Sequence, residues 1–210
     1  MQIQNTDGYV SKQIAVGNST TVPSGEMWKV TVTYGEDNEL ANSGGVVIEL
    51  NSKPVLKLGH IGGNDSGHGT DSSATLIVTG GDTIGTIDSG GTTNAHVSIT
   101  GFRIQDTVDN TPVQEILGAS DSVSVPSGEA WLVYPTCGDK DATENSATYV
   151  VNVNGNPIVR LGFDSNDNNK SGVLKNYGPE MVLTSGDTVS YDTYSGIGSN
   201  PYLALFGWKV

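Results

Sequence analysis

The sequence predicts an all-β chain made of two tandem, duplicated antiparallel β-sandwich domains of jelly-roll type, each about 100 residues long. Three observations lead to this prediction. Glycine is abundant, with 28 among 210 residues, and it disfavours long helices. Hydrophobic residues make up 35% of the chain and fall in short runs that alternate with polar residues, as in half-buried strands. A long segment of the sequence also occurs twice.

The duplication begins with Val22-Pro23-Ser24-Gly25-Glu26-Met27-Trp28, which returns as Val125-Pro126-Ser127-Gly128-Glu129-Ala130-Trp131 at an offset of 103 residues. Between 23–59 and 126–162, 15 of 37 aligned positions are identical. Two shorter segments also recur: Thr79–Ile84 as Thr184–Val189, and Gly101–Ile104 as Gly207–Val210. A period of about 105 residues suits a whole small domain. We therefore predict domains at 1–106 and 113–210, joined by a linker at 107–112.

Within each copy the apolar residues recur at every second position, so strands are expected throughout. In chain order, the first copy has a strand near 9–16, a strand after the Pro-Ser-Gly turn and a hairpin around 51–54. A strand leading into a Gly-Asp-Thr turn and a closing strand at 96–104 follow. The inward positions are Trp28, Val30, Val32, Tyr34, Val46, Ile48, Leu50, Leu56, Leu58, Leu76 and Val78. Each copy then has seven or eight strands, a number that an immunoglobulin-like sandwich shares.

The second copy is more apolar on its outer face than the first. Leu132 and Tyr134 stand where the first copy has Lys29 and Thr31, and the segment 201–206 is apolar in both phases. A strand that is apolar on both faces is covered on both. We expect this surface to be buried against the first copy or a neighbouring subunit, and a thicker core within the second copy is the alternative. The candidate contact residues are Leu132, Tyr134, Leu203 and Phe206.

Charge and composition exclude several classes of function. The formal net charge of −13 repels phosphate backbones, so we expect no nucleic-acid partner. No apolar stretch approaches the ~20 residues of a membrane span. Cys137 is the only cysteine, so an intrachain disulfide is excluded. The first residues lack the basic and apolar regions of a signal peptide. We therefore expect the protein to be made in the cytoplasm without a signal peptide.

No motif for catalysis is present, so we predict no enzyme activity and no cofactor. The histidines, His60, His68 and His96, lack the closely spaced pair of a metal-dependent cupin, and we expect His60 and His68 in or beside a Gly-rich loop. One acidic loop offers alternating oxygen ligands, which makes Asp164, Asn166, Asp167 and Asn168 a weak candidate Ca²⁺ site. The loop lacks the glycine and the final glutamate of an EF-hand, and a solvated loop is the other interpretation.

The strand-opening Val-Pro-Ser-Gly-Glu-x-Trp, the late Gly-Asp-Thr turn and the closing Gly-Trp-Lys-Val resemble the small β-sandwich modules of viral structural proteins. This resemblance implies a capsid decoration, turret or spike component that is displayed on the virion surface. Such a protein would contact other capsid proteins and copies of itself as a trimer or pentamer. Two alternatives remain open. One is a capsid coat protein, and the other is a lectin-like module or adhesin that binds a host-surface glycan through Tyr177, Tyr191, Tyr194 or Tyr202.

Overall fold

The computed structural model describes residues 8–35, 43–61, 68–69, 73–88, 95–104, 111–139, 146–164, 178–194 and 201–210, and these residues form strands and turns without a helix. The first half of the described chain, 8–104, contains β1 (Tyr9–Ala15), β2 (Ser19–Thr21), β3 (Met27–Gly35), β4 (Ser43–Leu50), β5 (Lys53–Ile61), β6 (His68–Gly69), β7 (Ser73–Thr79), β8 (Thr83–Asp88) and β9 (His96–Ile104). The second half, 111–210, contains β10 (Pro112–Leu117), β11 (Ser122–Ser124), β12 (Ala130–Asp139), β13 (Ser146–Val153), β14 (Asn156–Asp164), β15 (Met181–Thr184), β16 (Thr188–Tyr194) and β17 (Pro201–Lys209). The all-β prediction is confirmed.

The strands pair into four antiparallel sheets, two from each half. The first half forms sheet I, in the order β1-β9-β3-β7, and sheet II, in the order β2-β8-β4-β5-β6. The second half forms sheet III, in the order β10-β17-β12-β15, and sheet IV, in the order β11-β16-β13-β14. Sheet III therefore repeats the connectivity of sheet I, and sheet IV repeats that of sheet II apart from the two-residue strand β6.

Two hydrophobic clusters lie between these sheets. The first cluster draws most of its side chains from sheets I and II, and the second draws from sheets III and IV. Most of the predicted inward positions are buried in the first cluster, and Tyr34 packs against it half-buried. The closing strand β17 serves both clusters, because Leu203 and Leu205 belong to the second while Ala204 and Phe206 belong to the first. Its apolar character on both faces thus reflects two different cores.

The duplicated Pro-Ser-Gly-Glu-x-Trp motif fastens the beginning of β3 to the end of β9. Gly25 adopts a positive φ of 79°, which suits glycine in the turn before the strand. The carboxylate of Glu26 accepts a hydrogen bond from Trp28 Nε1 at 2.7 Å and lies 3.1 Å from Arg103 Nε. The motif therefore lies beside a cation near the end of the closing strand, in the segment that recurs with it.

The second half repeats this arrangement between β12 and β17. Glu129 accepts a hydrogen bond from Trp131 Nε1 at 2.8 Å and another from Lys209 Nζ at 2.6 Å. The hydrogen bonds from Lys209 and Trp131 hold the pKa of Glu129 below its usual value. An arginine in one half and a lysine in the other thus perform the same task.

A second repeated device, the turn clamp, joins the β4–β5 turn to the turn before β8. Asn51 donates from Nδ2 to Asp82 Oδ1 at 2.8 Å, and its Oδ1 accepts the backbone N–H of Thr83 at 2.9 Å. Asp82 also accepts the backbone N–H of Thr79 at 2.7 Å. Asn51 has a positive φ of 53°, a conformation that asparagine tolerates better than most residues.

The second half contains the same clamp. Asn154 donates to Asp187 at 2.7 Å and accepts the backbone N–H of Thr188 at 3.0 Å. The backbone N–H of Thr184, followed by the side chains of Asn154 and Thr184, keeps the pKa of Asp187 below its usual value. The clamp accounts for the recurrence of both the asparagine and the Gly-Asp-Thr turn.

Replacing Asn51 with alanine is expected to lower the free energy of unfolding by about 1–2 kcal/mol, because two side-chain hydrogen bonds are lost and alanine is strained at positive φ. Asn51→Gly loses the same hydrogen bonds but tolerates the backbone conformation, so its cost should be smaller. Urea unfolding of the two variants beside the unmodified chain measures both effects. Equal stability of all three proteins would contradict the clamp.

Candidate functional site

The two halves of the chain contact each other through the outside of their sheets. The outer face of sheet III lies across the edge of the first half that β5 and β7 form. Phe206 is completely buried there, Ile116 packs against the first cluster, and Gln114 Nε2 donates to Asp82 Oδ2 at 3.1 Å. We call this surface the inter-half contact.

A β-bulge in the first half, between β4 and β5, lies at the inter-half contact. The pairing of β4 with β5 shifts register after Ile48, which leaves Val55 as the additional residue. Bulges redirect a side chain at a sheet edge, and Val55 is completely buried. A Cβ on Gly138 of β12 would lie 2.9 Å from the backbone nitrogen of Val55 and 2.7 Å from that of Leu56. Only glycine allows β12 to approach β5 this closely.

Among the described residues, the second half has the same kind of edge, and this edge is exposed. The pairing of β13 with β14 shifts register after Val151, which leaves Ile158 as the additional residue. Ile158 is 56% exposed, whereas its equivalent Val55 is 0% exposed. On β15, the edge strand of sheet III, Val182 is 66% exposed and its equivalent Ile77 is 1% exposed. We call the surface around Ile158 and Val182 the open edge.

An apolar row leads across sheet III to the open edge. Pairing aligns Pro112 with Trp208, Trp208 with Leu132, and Leu132 with Val182. Pro112, Trp208 and Leu132 are half-buried, whereas Val182 is exposed. Because Pro112 already belongs to β10, the second half begins within the segment that the sequence predicts as a linker.

Two of the four predicted contact residues are half-buried in the structure, and the other two are completely buried. Leu132 and Tyr134 are half-buried on the outer face of sheet III. Leu203 is completely buried in the second cluster, and Phe206 is completely buried in the first. Neither of these two side chains therefore offers a surface to another subunit. Sequence reasoning missed Ile158 and Val182, although both copies are apolar at these positions.

Tyr134 is held by a carboxylate at the rim of the open edge. Its hydroxyl donates to Glu180 Oε1 at 2.5 Å. The hydrogen bond to Glu180, together with burial and the negative charge of Glu180, raises the pKa of Tyr134 to about 12. Since this folded-state pKa is raised, the contribution to stability is present below about pH 10 and is lost as the pH rises through about 12.

Ultraviolet absorbance should detect this shift. The difference titration between the unmodified chain and Tyr134→Phe is expected to have its midpoint near pH 12. Glu180→Gln should move that midpoint toward the ordinary value of about 10, because the charged acceptor is removed. A midpoint near pH 10 in the difference titration between the unmodified chain and Tyr134→Phe would contradict the Tyr134–Glu180 hydrogen bond.

Thr136 lies in β12 between Tyr134 and Gly138 and is almost completely buried. Within the part of the chain that the structure describes, its hydroxyl has no hydrogen-bond partner. Replacing Thr136 with valine should therefore raise the free energy of unfolding by about 1–2 kcal/mol, because an unsatisfied buried hydroxyl becomes a methyl group. Thermal unfolding measures this gain. Thr33→Val, at the half-exposed equivalent position, is the control and should change little.

The first half also has an open polar cleft of 640 Å³ between the end of β1, the strand β2 and the outer side of sheet II. Its lining is mainly hydroxyl, amide and carboxylate groups, including those of Gln13, Asn18, Ser19, Glu49 and Thr83. Such a lining offers hydrogen-bond donors and acceptors to a polar ligand. No aromatic side chain belongs to the described lining of this cleft.

The candidate Ca²⁺ loop lies almost wholly outside the described residues. Asn166, Asp167 and Asn168 fall in the gap after β14, and Asp164 ends that strand with its side chain undescribed. Among the described residues, no three His, Cys, Asp or Glu side chains form a group suited to a metal ion.

The two histidines expected in or beside a Gly-rich loop stand on either side of the Gly-rich segment 62–67. The backbone places His60 in β5 and His68 in β6, with Ile61 paired to His68. The short strand β6 thus extends the edge of sheet II. Cys137 is completely buried, and burial raises the pKa of its thiol. No helix in the described ranges could cross a membrane.

The tyrosines proposed for glycan binding differ in their exposure. Tyr191 is buried, its ring centroid lies 5.8 Å from that of Tyr149, and its hydroxyl donates to the carbonyl of Pro201 at 2.8 Å. It is therefore a core residue, and the expectation of an exposed ring at this position is wrong. Tyr194 is exposed, Tyr202 is half-buried, and Tyr177 lies outside the described residues.

Comparisons with known proteins add little about activity. No family model and no curated protein matches the chain. The similar solved structures include PNGase F, a glycosylasparaginase from Flavobacterium meningosepticum, with 8% identity, a TM-score of 0.47 and coverage of 96% of this chain and 95% of that one. They also include PNGF-II, with 10% identity, a TM-score of 0.36 and coverage of 96% of this chain and 60% of that one. A conserved protein of unknown function from Pseudomonas aeruginosa has 9% identity, a TM-score of 0.24 and coverage of 96% of this chain and 79% of that one. All three TM-scores are below 0.5, so none of these likenesses bears on the fold or the activity.

Proposed function

We propose that this chain is a non-enzymatic assembly protein, a pair of jelly-roll sandwiches that works on a virion surface through contacts with copies of itself and other capsid proteins. The observation that carries the proposal is the open edge. In the first half the equivalent residues Val55 and Ile77 are buried, whereas Ile158 and Val182 are exposed. The open edge exposes apolar side chains whose equivalents in the first half are buried, and exposed apolar patches commonly mark sites of association with another protein.

The strand orders support the jelly-roll part of this proposal. In a jelly roll, strands that follow one another in the chain alternate between two facing sheets. Sheets I and II, and likewise III and IV, divide their strands in this way, apart from the consecutive strands β4–β6 in sheet II and β13–β14 in sheet IV, and each pair of sheets encloses one cluster. Four sheets would also fit a four-bladed propeller. The blades of a propeller are built from consecutive strands, however, and every sheet here combines strands that are distant in sequence.

Sedimentation velocity over a concentration series at low and high salt tests the assembly function. We expect species whose masses are multiples of 21.9 kDa, populated more strongly at high salt because the net charge of −13 is then screened. A chain that stays monomeric at every salt and at concentrations up to about 1 mM, where even the weakest specific contacts are detectable, would contradict the proposal.

Glycan binding is a second candidate, favoured by the polar cleft beside β1 and β2. A carboxylate, amides and hydroxyls that line one open space can hydrogen-bond a sugar. A glycan array probed with the unmodified chain and with Asn18→Ala tests this candidate. A glycan bound by the unmodified chain and lost in the variant would support it, and the absence of any bound glycan would contradict it.

A further inference from the structure

We propose that the chain associates head to tail, with the open edge of one copy covered by the outer face of sheet I of a second copy. This inference rests on the proposed assembly function and names the partner and both surfaces. It follows from the way the two halves of a single chain already meet.

The inter-half contact shows what such an edge binds. The edge of β5 and β7 in the first half is covered by the outer face of sheet III in the second half. Because the halves share their connectivity, each half has one edge and one face of this kind. One edge and one face are used within the chain. The edge of β14 and β15 and the face of sheet I are left over.

The two remaining surfaces lie on different halves, and their apolar residues are exposed. On the face of sheet I, Tyr9 is 65% exposed and its ring lies 5.3 Å from that of Phe102. These residues occupy the positions of Pro112 and Trp208 on sheet III, at the end of the apolar row. An aromatic pair of this kind can cover Val182 or Ile158 on a neighbouring copy, as interface aromatics commonly do.

Charge supports the same pairing. Lys29 lies on the face of sheet I, in the same row as Phe102. Glu180 is exposed at the rim of the open edge, two residues before Val182. The face therefore presents a cation, and the edge presents the anion Glu180 on one of its strands and the cation Arg160 on β14, so the complementary pair is Lys29 with Glu180. Complementary charges of this kind orient partners and raise association rates.

The remainder of the face is polar, and this distinguishes the contact between chains from the one within the chain. Ser11, Thr100, Thr31 and Thr75 form one row across sheet I, at the positions where sheet III has Gln114, Phe206, Tyr134 and Glu180. A hydroxyl-rich face makes a wetter and weaker contact than the buried inter-half one. Because an edge meets a face, the contact is heterologous and yields a closed ring or an open filament.

Two variants, each blocked on one surface, test the inference by sedimentation. Val182→Asp blocks the open edge, and Tyr9→Asp blocks the face. Tyr194→Asp is the matched control, since Tyr194 is exposed in β16, two strands away from β14. We expect the control to associate like the unmodified chain and each blocked variant to be monomeric. An equimolar mixture of the two blocked variants should form a dimer, because one free edge and one free face remain.

The other outcomes separate this inference from the proposed function. If Tyr9→Asp associates normally while Val182→Asp does not, two open edges meet each other and the head-to-tail arrangement is wrong. If both variants associate normally, another surface is used, and the inference fails while the assembly function stands. If the unmodified chain never associates, both fail. Circular dichroism verifies folding, and Ile158→Asp replaces Val182→Asp should the latter unfold.

Discussion

Replacing Phe206 with alanine is expected to lower the free energy of unfolding by about 3–5 kcal/mol, the usual cost of removing a buried phenylalanine. Phe206 is completely buried, yet it lies on the outer face of its own sheet and belongs to the cluster of the other half. Its loss leaves a cavity where the second half closes the edge of the first. Urea unfolding followed by tryptophan fluorescence measures the change.

Thr100→Ala is the matched control for this variant. Thr100 is the equivalent of Phe206 on sheet I, where the same face is exposed to solvent. Its truncation should change the free energy of unfolding by no more than about 0.5 kcal/mol. Similar costs for the two substitutions would show that the outer face of sheet III is not specially buried, and the inter-half contact would have to be abandoned.

Replacing Gly138 with valine is expected to lower the free energy of unfolding by about 3 kcal/mol, the upper end of the usual cost of overpacking. The new Cβ would lie 2.7–2.9 Å from backbone atoms of β5, at Pro54, Val55 and Leu56. Backbone atoms in a paired strand cannot move aside as the end of a flexible side chain can, so the two halves must separate locally. Thermal and urea unfolding measure the loss.

Gly35→Val is the control, because Gly35 occupies the equivalent position in β3 and a Cβ there meets nothing within 4 Å. Valine favours strands, so this variant should be neutral or slightly stabilising. A large cost at Gly35 would point to a backbone requirement shared by both copies. A small loss of stability in Gly138→Val would show that β12 and β5 leave room for a side chain between them.

Much of the fold could be predicted from the sequence, because alternation and duplication are local or linear signals. The inward phase of Trp28, Val30 and Val32 follows from period two alone. The pattern also shows that β17 is apolar on both faces, but it cannot show what covers each face. Ala204 and Phe206 meet the first cluster because of how the halves pack, and that depends on contacts between residues distant in sequence.

The candidate site was harder to predict for the same reason. Val55 and Ile158 are apolar equivalents in the two copies, and nothing local distinguishes them. Their exposures, 0% and 56%, differ only because one edge is covered and the other is not. The bulge that isolates each of them is also invisible in an apolar run. The turn clamp, by contrast, left a signal, since its asparagine and aspartate recur in both copies.

Amide hydrogen exchange at low and high protein concentration tests the central claim most directly, because it locates the association surface on the unmodified chain. We expect exchange in β14 and β15 to slow as concentration rises, together with exchange in β1 and β9 of sheet I. The equivalent strands β5 and β7 should be unchanged, since the second half already covers them. Protection that is absent from β14 and β15, while the mass shows association, would contradict the claim that the open edge is where copies meet.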